Sequence, residues 1–530
     1  MKNTQNKTPK ITFSSDGIRG ISEEWPFTID GIYLVGQAMS RFLLKKDCTD
    51  SRVVLGRDTR PSGKEYIRVL KNCFIENGIT VIDLGVAPTP VVAYITKKKS
   101  AHLGVVVSAS HNPVKYNGIK LFNSQGLRLQ IGDEQFLEKL INSIDMQNIK
   151  NSNYIENYDE SDSENYIDEY IKDQADKLYP GNLKDLKLLV DCSNGAVART
   201  GKKLLSELGA TVISINDDLS GQKIINENCG SEQARKHPAE FIKLVQKNNA
   251  EYGLAFDGDG DRIVVVDKKG NFYNGDDLLY VLAIHYAKKK MLPDNVVITT
   301  EMANSGLRTS LEKETIQVIE TKNGDKNLEA VMWRKVYSFR SFNNSAQMWI
   351  WFLTKIKNLF FHTMHSAIFP VKSKGYLLGA EQVGNIIIND GKHGSADSLY
   401  AISLLLTLLN SEKVLLEEKT ESLKKRPQVL ATVHMIERVP KKKIDLIKSE
   451  MQNSSQLHPD FRIKYWYSST EPGLFSVMME GVGSEEGMES AELKTVSEQA
   501  HLFCQKVLLL NKTQSGQIAI FDLSSRKRAN

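Results

Sequence analysis

The sequence predicts an α/β protein of three or four domains. Its 530 residues are too many for one hydrophobic core, and its 41% apolar and 25% charged residues are ordinary for a globular protein. Short β-branched runs alternate with helical patterns, which is typical of strand–helix units in an α/β layer. This rhythm recurs in three segments of the chain, so we expect repeated domains.

The first domain is expected over residues 11–160. Strand-like runs lie at 52–55, 80–84 and 103–107, with helical patterns between them. Such alternation favours largely parallel strands. The polar, acidic stretch 151–165 is interpreted as the linker that leaves this domain.

Two further α/β domains and a last, smaller domain are expected after the linker. We place them at residues 161–272, 273–425 and 426–511. The elements expected in the two α/β domains are strands at 186–191, 253–256 and 296–300 and helices at 202–208 and 305–311.

Residues 333–374 interrupt the third domain with an aromatic insertion. They hold Trp333, Trp349 and Trp351, three of the five tryptophans of the chain. Lysines break the apolar run, which is too short to span a bilayer. A lid packed on its own domain, or recently altered sequence, is favoured over an exposed interaction surface.

Charge and cysteine usage exclude several classes of protein. The net charge of +5 is spread along the chain, so neither a nucleic-acid nor a membrane partner is expected. The five cysteines lack zinc-site or redox-motif spacing and are expected to be buried free thiols. The polar first residues contain no signal core, and the cytoplasm is the expected location.

The first candidate site is the hexapeptide Ser-Ala-Ser-His-Asn-Pro at residues 108–113. It follows the strand 103–107, and ligands of α/β sheets bind where strands end. Ser110 offers a hydroxyl nucleophile with His111 beside it, and the Asn-Pro pair favours a turn. Taken alone, the hexapeptide is more typical of an ordinary polar turn than of a catalytic site.

The second candidate site is a metal loop that follows a buried strand. Asp257, Asp259 and Asp261 are separated by glycines, and three oxygen ligands suit Mg²⁺. Arg262 adds a fixed fork for phosphate. An EF-hand is excluded because its sixth and twelfth positions would be Arg262 and Lys268. A phosphatase with Asp257 as nucleophile remains an alternative.

Two weaker loops follow. In residues 379–385, glycines bracket Glu381 and Gln382, a pairing suited to sugar hydroxyls. The second loop offers hydroxyls that suit either a phosphate nest or a helix cap. These hydroxyls belong to Ser468, Ser469 and Thr470.

Together and in this order, the four loops resemble those of the α-D-phosphohexomutase family. The resemblance covers nearly the whole chain except residues 333–374 and the tail. It implies three similar α/β domains and a smaller α+β C-terminal domain around a central cleft. Further matching stretches lie at residues 15–20, 56–63, 84–90, 117–120, 191–195 and 228–231.

The resemblance implies an isomerase that moves a phosphoryl group between the 6- and 1-oxygens of a hexose. Ser110 would carry the group and would bind Mg²⁺ with the three aspartates of the metal loop. The implied partners are a sugar phosphate and a bisphosphate sugar activator, and the oligomeric state is open. The implied catalytic residues are Ser110, His111, Lys120 as general acid/base, Arg262 and Arg19. The implied substrate-binding residues are Lys322, Glu381, Gln382, Asn385, Ser468, Ser469 and Thr470.

Within the family, residues 321–326 and 379–382 resemble the phosphoglucosamine mutase branch. Glucosamine 6-phosphate is therefore the expected substrate. A phosphomannomutase or phosphoglucomutase, or a non-catalytic sugar-phosphate-binding relative, is the alternative. Four departures from the family pattern bear on substrate binding. Val383 and Asn385 replace a serine and a histidine, and Trp466 and Ser476 lie near two family arginines, each worth roughly 1.5–3 kcal/mol as a phosphate contact.

Overall fold

A computed structural model shows four sheets in the part of the chain that it describes. Each sheet collects strands that are close in sequence, so the sheets follow one another along the chain. The described residues are 9–45, 50–144, 163–333, 375–435, 438–453, 461–467, 474–481, 489–510 and 518–523.

The first sheet is built from a buried valine-rich run and its neighbours. Its elements are β1 (Ile18–Ile21), α1 (Ile29–Leu44), β2 (Arg52–Arg57), α2 (Pro61–Glu76), β3 (Thr80–Val86), α3 (Thr89–Lys98), β4 (Leu103–Val107), β5 (Tyr116–Asn123) and α4 (Ile131–Ile141). The strand order is β1-β5-β4-β2-β3. All residues of β4 are buried, because helices cover both faces of the sheet centre.

The second sheet repeats this arrangement. Its elements are α5 (Ser163–Leu178), β6 (Lys187–Asp191), α6 (Gly201–Glu207), β7 (Thr211–Ile215), α7 (Gly230–Lys236), α8 (Pro238–Lys247), β8 (Tyr252–Phe256), β9 (Ile263–Asp267) and β10 (Phe272–Tyr273). The strand order is β10-β9-β8-β6-β7. All residues of β8 and β9 are buried.

The third sheet repeats it again with one strand fewer. Its elements are α9 (Gly275–Lys288), β11 (Val296–Thr300), α10 (Ser305–Lys313), β12 (Gln317–Thr321), α11 (Asp325–Met332), β13 (Leu378–Ala380), β14 (Ile386–Ile388), α12 (Ser398–Glu412) and α13 (Leu416–Thr420). The strand order is β12-β11-β13-β14. Helix α9 begins with a capping box in which Asn274 and Asp277 bond each other's backbone.

The fourth sheet is antiparallel throughout its described strands. Its elements are β15 (Gln428–His434), α14 (Lys441–Asn453), β16 (Arg462–Tyr467), β17 (Leu474–Glu480), α15 (Glu489–Leu510) and β18 (Ala519–Asp522). The strand order is β16-β17-β15-β18. An apolar cluster that includes Val429, Phe475 and Phe503 joins this sheet to its helices.

The repeated strand order places one hairpin at the same position of each α/β sheet. The pairs β4–β5, β8–β9 and β13–β14 are antiparallel. In each sheet, the first strand of the pair also belongs to a set of three parallel strands. The loops that join them are residues 108–115, 257–262 and 381–385. These are the predicted serine, metal and sugar loops. The predicted phosphate loop, residues 468–472, falls in the sequence between the antiparallel strands β16 and β17 and lies outside the described residues.

The prediction of largely parallel strands in the first domain holds for β3, β2 and β4, whereas β5 pairs antiparallel with β4 and with β1 at one edge of that sheet. The β2–β3 and β2–β4 pairs are parallel, as are the corresponding pairs of the next two sheets. The hairpin loops are too short for a parallel crossover, which needs about a dozen residues. The strands after them must therefore run antiparallel.

The acidic linker also ends earlier in the sequence than the predicted residue 165. Helix α5 begins at Ser163, so the last residues of 151–165 are helical. Ile167, Tyr170 and Ile171 lie on its buried face, and their helical spacing extends the helix back into the polar stretch. Residues 151–162 lie outside the described residues.

Two domain limits move when the strands are assigned to sheets. Strand β10 ends at Tyr273, one residue beyond the expected limit at 272. Strand β18 pairs with β15, so the fourth sheet continues past residue 511 to Asp522. We therefore propose limits at 273 and 522 and keep the limit at 425.

Most of the aromatic insertion falls outside the described residues. Trp333 ends helix α11, and its indole donates to the carbonyl of Gly394. Residues 334–374 are not described, so the interpretation of this insertion stays a prediction. The cysteine prediction is confirmed for four thiols, which are free and buried. They are Cys73, Cys192, Cys229 and Cys504.

Candidate active site

The four sheets surround one cleft with a volume of about 1150 Å³. Because the hairpins occupy equivalent positions in the repeated sheets, their loops reach the same cleft. Strands β15, β16 and β17 of the fourth sheet form another wall. The cleft is lined by these predicted residues: Arg19, Ser110, His111, Lys120, Asp261, Arg262, Lys322, Glu381 and Asn385. Ser468, Ser469 and Thr470 lie outside the described residues.

Ser110 lies against the metal loop. Its hydroxyl donates to Asp257 Oδ2 at 2.5 Å, and its backbone N–H donates to Ser108 Oγ at 2.8 Å. The backbone of Ser110 has a φ of 53°, a left-handed conformation that bulky residues rarely adopt. The residue is 2% exposed and lies at the base of the cleft. The predicted nucleophile and the predicted metal ligands are thus in direct contact.

A buried arginine that sequence reasoning missed holds the serine loop. The Arg60 guanidinium donates to four backbone carbonyls at 2.7 to 3.0 Å, three in the loop and one at the start of β5. It also pairs with Asp58 at 2.9 Å, and both side chains are 0% exposed. The Asp58 carboxylate also accepts a hydrogen bond from Ser108 Oγ at 2.6 Å. The four carbonyls belong to Ser110, Asn112, Pro113 and Tyr116.

In the sequence, Arg60 and Asp58 fall within the stretch 56–63 that matches the family. The resemblance assigned a role to neither residue. A buried pair of this kind is expensive unless its hydrogen bonds are complete. Here the bonds to Asp58 and to the loop occupy Nε and both terminal nitrogens of the Arg60 guanidinium. The pair therefore orders the loop that presents Ser110.

Asn226 and Thr89 make hydrogen bonds between the first and second domains that fix the serine and metal loops relative to each other. Asn226 Nδ2 donates to the carbonyls of Ser110 and Asn112 at 2.8 and 3.0 Å. Thr89 Oγ1 donates to Asp259 Oδ2 at 2.5 Å. Sequence reasoning missed both residues, because a lone threonine or asparagine carries no recognisable pattern.

Gly258 allows this close approach. A Cβ atom at this position would lie 2.7 Å from the Ser110 carbonyl oxygen. That separation is well inside van der Waals contact, so any side chain would push the two loops apart. The glycine between the first two aspartates is therefore a packing requirement of the site.

The three aspartates of the metal loop form one buried cluster. Each offers a carboxylate oxygen, and these atoms lie within 4.8 Å of one another. Lys120 Nζ lies 2.5 Å from Asp259 Oδ2 and 2.6 Å from Asp261 Oδ2. Lys120 thus comes from the first domain to partner carboxylates of the second.

The charges of this cluster shift one another's pKa. Burial, with the nearby Asp261 and Asp259, raises the pKa of Asp257 well above its ordinary value. Burial alone would also raise the pKa of Asp259, but the Lys120 ammonium outweighs it and lowers that pKa. Burial would lower the pKa of Lys120, but Asp259 and Asp261 outweigh it and raise that pKa. Burial and the neighbouring Asp259 also raise the pKa of Asp261, although Lys120 and Arg262 oppose this shift.

The donor set fits a hard metal ion. Asp259 Oδ1 and Asp261 Oδ1 are buried, and neither has a hydrogen-bond partner within the described structure. Buried carboxylate oxygens are expensive to leave unpaired. Oxygen-only ligands of this kind suit divalent cations such as magnesium or calcium. The triad can therefore bind a metal ion.

Arg262 is held by two residues of the predicted site. Its Nη1 donates to His111 Nδ1 at 2.8 Å, and its Nε donates to Asn385 Oδ1 at 3.1 Å. Burial and then the Arg262 charge lower the pKa of His111, so the imidazole is neutral and accepts the bond. His111 Nδ1 also lies 3.4 Å from Ser110 Oγ. Histidine and asparagine therefore orient the arginine toward the serine.

Glu381 and Gln382, adjacent in the sugar loop, have different environments. Glu381 accepts from the backbone N–H of Gly324 at 2.7 Å, and burial raises its pKa to about 7. Gln382 does not line the main cleft. Its amide donates to the buried carboxylate of Asp276 at 3.0 Å and to Gln428 at 2.7 Å. Its amide thus joins the third domain to the fourth, and its predicted role in substrate binding stays a prediction.

Arg19 and Lys322 complete the basic lining. Arg19 donates to the carbonyl of Ser108 at 2.7 Å, whereas its Nε is buried without a partner in the described structure. Lys322 is exposed at the wall formed by the third domain. Both side chains lie where they can reach an anion in the cleft.

The fourth-domain wall is less basic than the resemblance implies. Trp466 and Ser476 are direct partners in the β16–β17 register, and both line the cleft. Lys464 lies two residues before Trp466 and pairs with Glu301 at 2.9 Å. The two departures from the family pattern therefore form one continuous patch of this wall.

Three domain models of one family match the chain. They are those of phosphoglucomutase/phosphomannomutase α/β/α domains I, II and III, at residues 10–148, 164–270 and 274–340. A phosphoglucosamine mutase of Alkaliphilus metalliredigens is 32% identical over 92% of this chain and 96% of its own length. One from Clostridium botulinum is 35% identical over 89% of this chain and 95% of its own.

Solved structures share the fold. A phosphoglucomutase/phosphomannomutase family protein of Burkholderia thailandensis matches with a TM-score of 0.65 and 21% identity, over 95% of this chain and 98% of its own. The N-acetylphosphoglucosamine mutase of Aspergillus fumigatus, solved with glucose 1,6-bisphosphate, matches with a TM-score of 0.56 and 15% identity. The latter match covers 96% of this chain and 97% of the other.

These matches confirm the resemblance and the predicted four-domain fold. Among the described helices, none combines the length and apolar character that a bilayer span requires. The family models cover more than half of the chain, and the curated relatives are similar to it over most of its length. The chain belongs to the phosphoglucomutase/phosphomannomutase family of α-D-phosphohexomutases.

Proposed function

We propose that the chain is a phosphoglucosamine mutase-type enzyme that moves a phosphoryl group between the 6- and 1-oxygens of glucosamine phosphate. The observation that carries the proposal is the 2.5 Å contact between Ser110 Oγ and Asp257 Oδ2 in the buried triad. The relatives that are at least 30% identical support the sugar, since their names are those of phosphoglucosamine mutases.

The reaction would exchange one phosphate ester for another. A sugar hydroxyl attacks the phosphorus carried by Ser110, the bond to the serine oxygen breaks, and a bisphosphate sugar forms. Lys120, which its raised pKa keeps protonated, would give its proton to the departing serine oxygen and take the proton of the attacking hydroxyl in return, so that the ammonium is restored. The bisphosphate then turns in the cleft and returns its other phosphoryl group to Ser110. A bisphosphate sugar supplied from solution would prime the serine in the same way.

Positioning and charge neutralisation dominate phosphoryl transfer. Asp257, Asp259, Asp261 and the Ser110 oxygen would hold Mg²⁺, which supplies Lewis-acid neutralisation of the phosphoryl oxygens. Arg262, which His111 and Asn385 hold in the cleft, would offset the charge of the same oxygens. The fourth domain would exclude water and so protect the phosphoserine from hydrolysis.

A coupled assay tests the proposal. The purified chain, given Mg²⁺ and glucose 1,6-bisphosphate, should convert glucosamine 6-phosphate to the 1-phosphate faster than mannose or glucose phosphates. A faster reaction with either of the last two would reassign the sugar. Absence of turnover with all three would favour a non-catalytic sugar-phosphate-binding relative, which the patch of Trp466 and Ser476 supports.

Removal of the metal should abolish turnover. Chelation with EDTA is expected to lower kcat at least about a hundredfold, because a Lewis acid at the phosphoryl oxygens is worth several kcal/mol. Added Mg²⁺ should restore activity and raise the melting temperature, since it relieves repulsion within the triad.

The Asp259→Asn variant should lose both the activity and the Mg²⁺-dependent rise in melting temperature. Asp185→Asn, an exposed carboxylate of the same domain, is the matched control and should keep both. Full activity after exhaustive chelation would contradict the metal role.

Substrate binding should weaken below about pH 7. Burial raises the pKa of Glu381 to about 7, so the carboxylate that accepts sugar hydroxyls is lost as the pH falls through that value. If the ionised form alone binds well, kcat/KM at pH 6 should be about tenfold lower than at pH 8. A pH profile of kcat/KM measures this.

Glu381→Gln should remove this inflection while the titration of the substrate phosphate near pH 6 persists. Glu227→Gln, at an exposed glutamate that lines the same cleft, should leave the profile unchanged. An identical acid limb in wild type and Glu381→Gln would show that another group controls it.

A further inference from the structure

The fourth-domain wall of the cleft carries two hydroxyls in neighbouring positions. Thr432 on β15 and Ser476 on β17 are direct partners in the antiparallel register, and both line the cleft. Within the described part of the chain, neither hydroxyl makes a hydrogen bond. Lys464, a diagonal neighbour of Ser476 across β16 and β17, already pairs with Glu301 at 2.9 Å. The two hydroxyls are therefore available to a ligand.

A cation from the second domain reaches this wall. Lys236 is the last residue of α7, and its ammonium lies 5.7 Å from the ring centroid of Phe521 on β18. Phe521 is opposite Leu430 in the β15–β18 register, which makes Thr432 its diagonal neighbour on the same face. Such neighbours are roughly 7–8 Å apart. The ammonium thus lies beside the pair of hydroxyls.

The neighbours of Lys236 leave part of its ammonium for a ligand. The nitrogen lies 3.5 Å from Glu232 Oε2, which also accepts from Arg235 at 2.8 Å. The Lys236 side chain is 41% exposed and lines the cleft. Since an ammonium has three N–H donors, Lys236 can donate to an anion in the cleft while Arg235 offsets the charge of Glu232.

A substrate phosphate that is not transferred needs a cation of its own. The proposed reaction holds a sugar phosphate with its free hydroxyl at Ser110, while its phosphate lies elsewhere in the cleft. Removing that charge from water without a partner is unfavourable, and the fourth-domain wall is less basic than the resemblance implies. Burial and then the Arg262 charge lower the pKa of His111, and the Lys236 charge acts in the same direction. Lys236 is therefore within electrostatic range of the reacting end.

We propose that Lys236 binds the phosphate that is not transferred, together with the hydroxyls of Thr432 and Ser476. Helix α7 of the second domain then supplies the charge that the fourth-domain wall lacks. The inference rests on the proposed function, because it takes the ligand to be a sugar phosphate whose other end lies at Ser110. A phosphate accepts hydrogen bonds of about 3 Å on several sides, so it can bridge the lysine to the hydroxyls. The bound phosphate would also join the second domain to the fourth.

The test measures KM and kcat for glucosamine 6-phosphate on the full chain, with Mg²⁺ and glucose 1,6-bisphosphate. Lys236→Met is expected to raise KM at least about tenfold, the lower end of what a hydrogen bond to a charged group is worth. Its kcat should change little, because the contact is the same in the ground state and the transition state. Thr432→Val should raise KM several-fold for the same reason.

Two further variants separate charge from packing. Lys236→Arg keeps a phosphate-binding cation and should keep KM within about threefold of the wild type. The double variant Lys236→Met with Ser476→Arg places a guanidinium beside Thr432 and should recover most of the lost affinity. A KM in this double variant no lower than in Lys236→Met would contradict a role for charge at this site.

Lys243→Met is the matched control, because Lys243 is exposed on α8 of the same domain and does not line the cleft. Its KM should equal that of the wild type. Normal turnover with an unchanged KM in Lys236→Met would overturn this inference and leave the proposed function intact. A KM that rises in Lys322→Met but not in Lys236→Met would do the same. Absence of turnover by the wild type would overturn both proposals.

Discussion

Replacement of Ser110 by alanine is expected to lower mutase turnover at least about a thousandfold. The serine oxygen is the atom that would carry the phosphoryl group, and neither Asp257 nor His111 occupies its position in the cleft. Loss of a catalytic nucleophile cannot be compensated by the surrounding charges. Initial rates at saturating substrate and activator measure the effect.

The same variant decides where phosphate resides. Intact-mass analysis of the wild type should show one covalent phosphate, and Ser110→Ala should show none. Ser143→Ala, at an exposed serine of the same domain, should retain both phosphate and activity. Phosphate found on Asp257 in the alanine variant would favour a phosphatase with an aspartyl nucleophile and would contradict the mutase mechanism.

Replacement of Arg60 by methionine is expected to lower the free energy of unfolding by about 3–5 kcal/mol. The change leaves Asp58 without its buried cation and removes the Arg60 donors from four backbone carbonyls, of which those of Ser110 and Asn112 keep their bonds from Asn226. Turnover should fall as well, because the loop that presents Ser110 loses its support. Urea titration with the initial rate of the same samples measures both effects.

Arg68→Met, on the helix α2 that Arg60 immediately precedes, is the matched control. Arg68 pairs with Glu65 at the surface, with both side chains partly exposed. Such pairs contribute about 0.2–1 kcal/mol, so the midpoint should shift little. Equal shifts for the two variants would show that the Arg60 clamp adds nothing beyond an ordinary surface pair.

The prediction from sequence was strongest where the signal is local. Leu103–Val107 and Val296–Thr300 were predicted with the bounds that the structure has, because β-branched runs between turns favour buried strands. Helix α6 shifts by one residue from its prediction. The serine and metal loops were found because their unusual composition is contained within six residues.

Gln382 shows that a sequence motif does not by itself determine which groups a side chain will contact. Its place beside Glu381 in the sugar loop suggested a sugar contact. The structure gives its amide two polar partners, Asp276 from α9 of the same domain and Gln428 from β15 of the fourth domain. A buried amide bonds whatever polar groups surround it, and these groups are distant in sequence.

By itself, the sequence determined the family, the repeated α/β cadence and the four loops that carry the chemistry. Only the tertiary structure decided that these loops occupy equivalent hairpins, that Arg60 and Asn226 hold the serine loop, and that Lys236 reaches the wall of the fourth domain. The physical reason is the separation along the chain over which each kind of interaction acts. Strand and turn preferences act over a few neighbouring residues, whereas the Ser110–Asp257 bond joins positions 147 residues apart, and such contacts depend on how the domains pack.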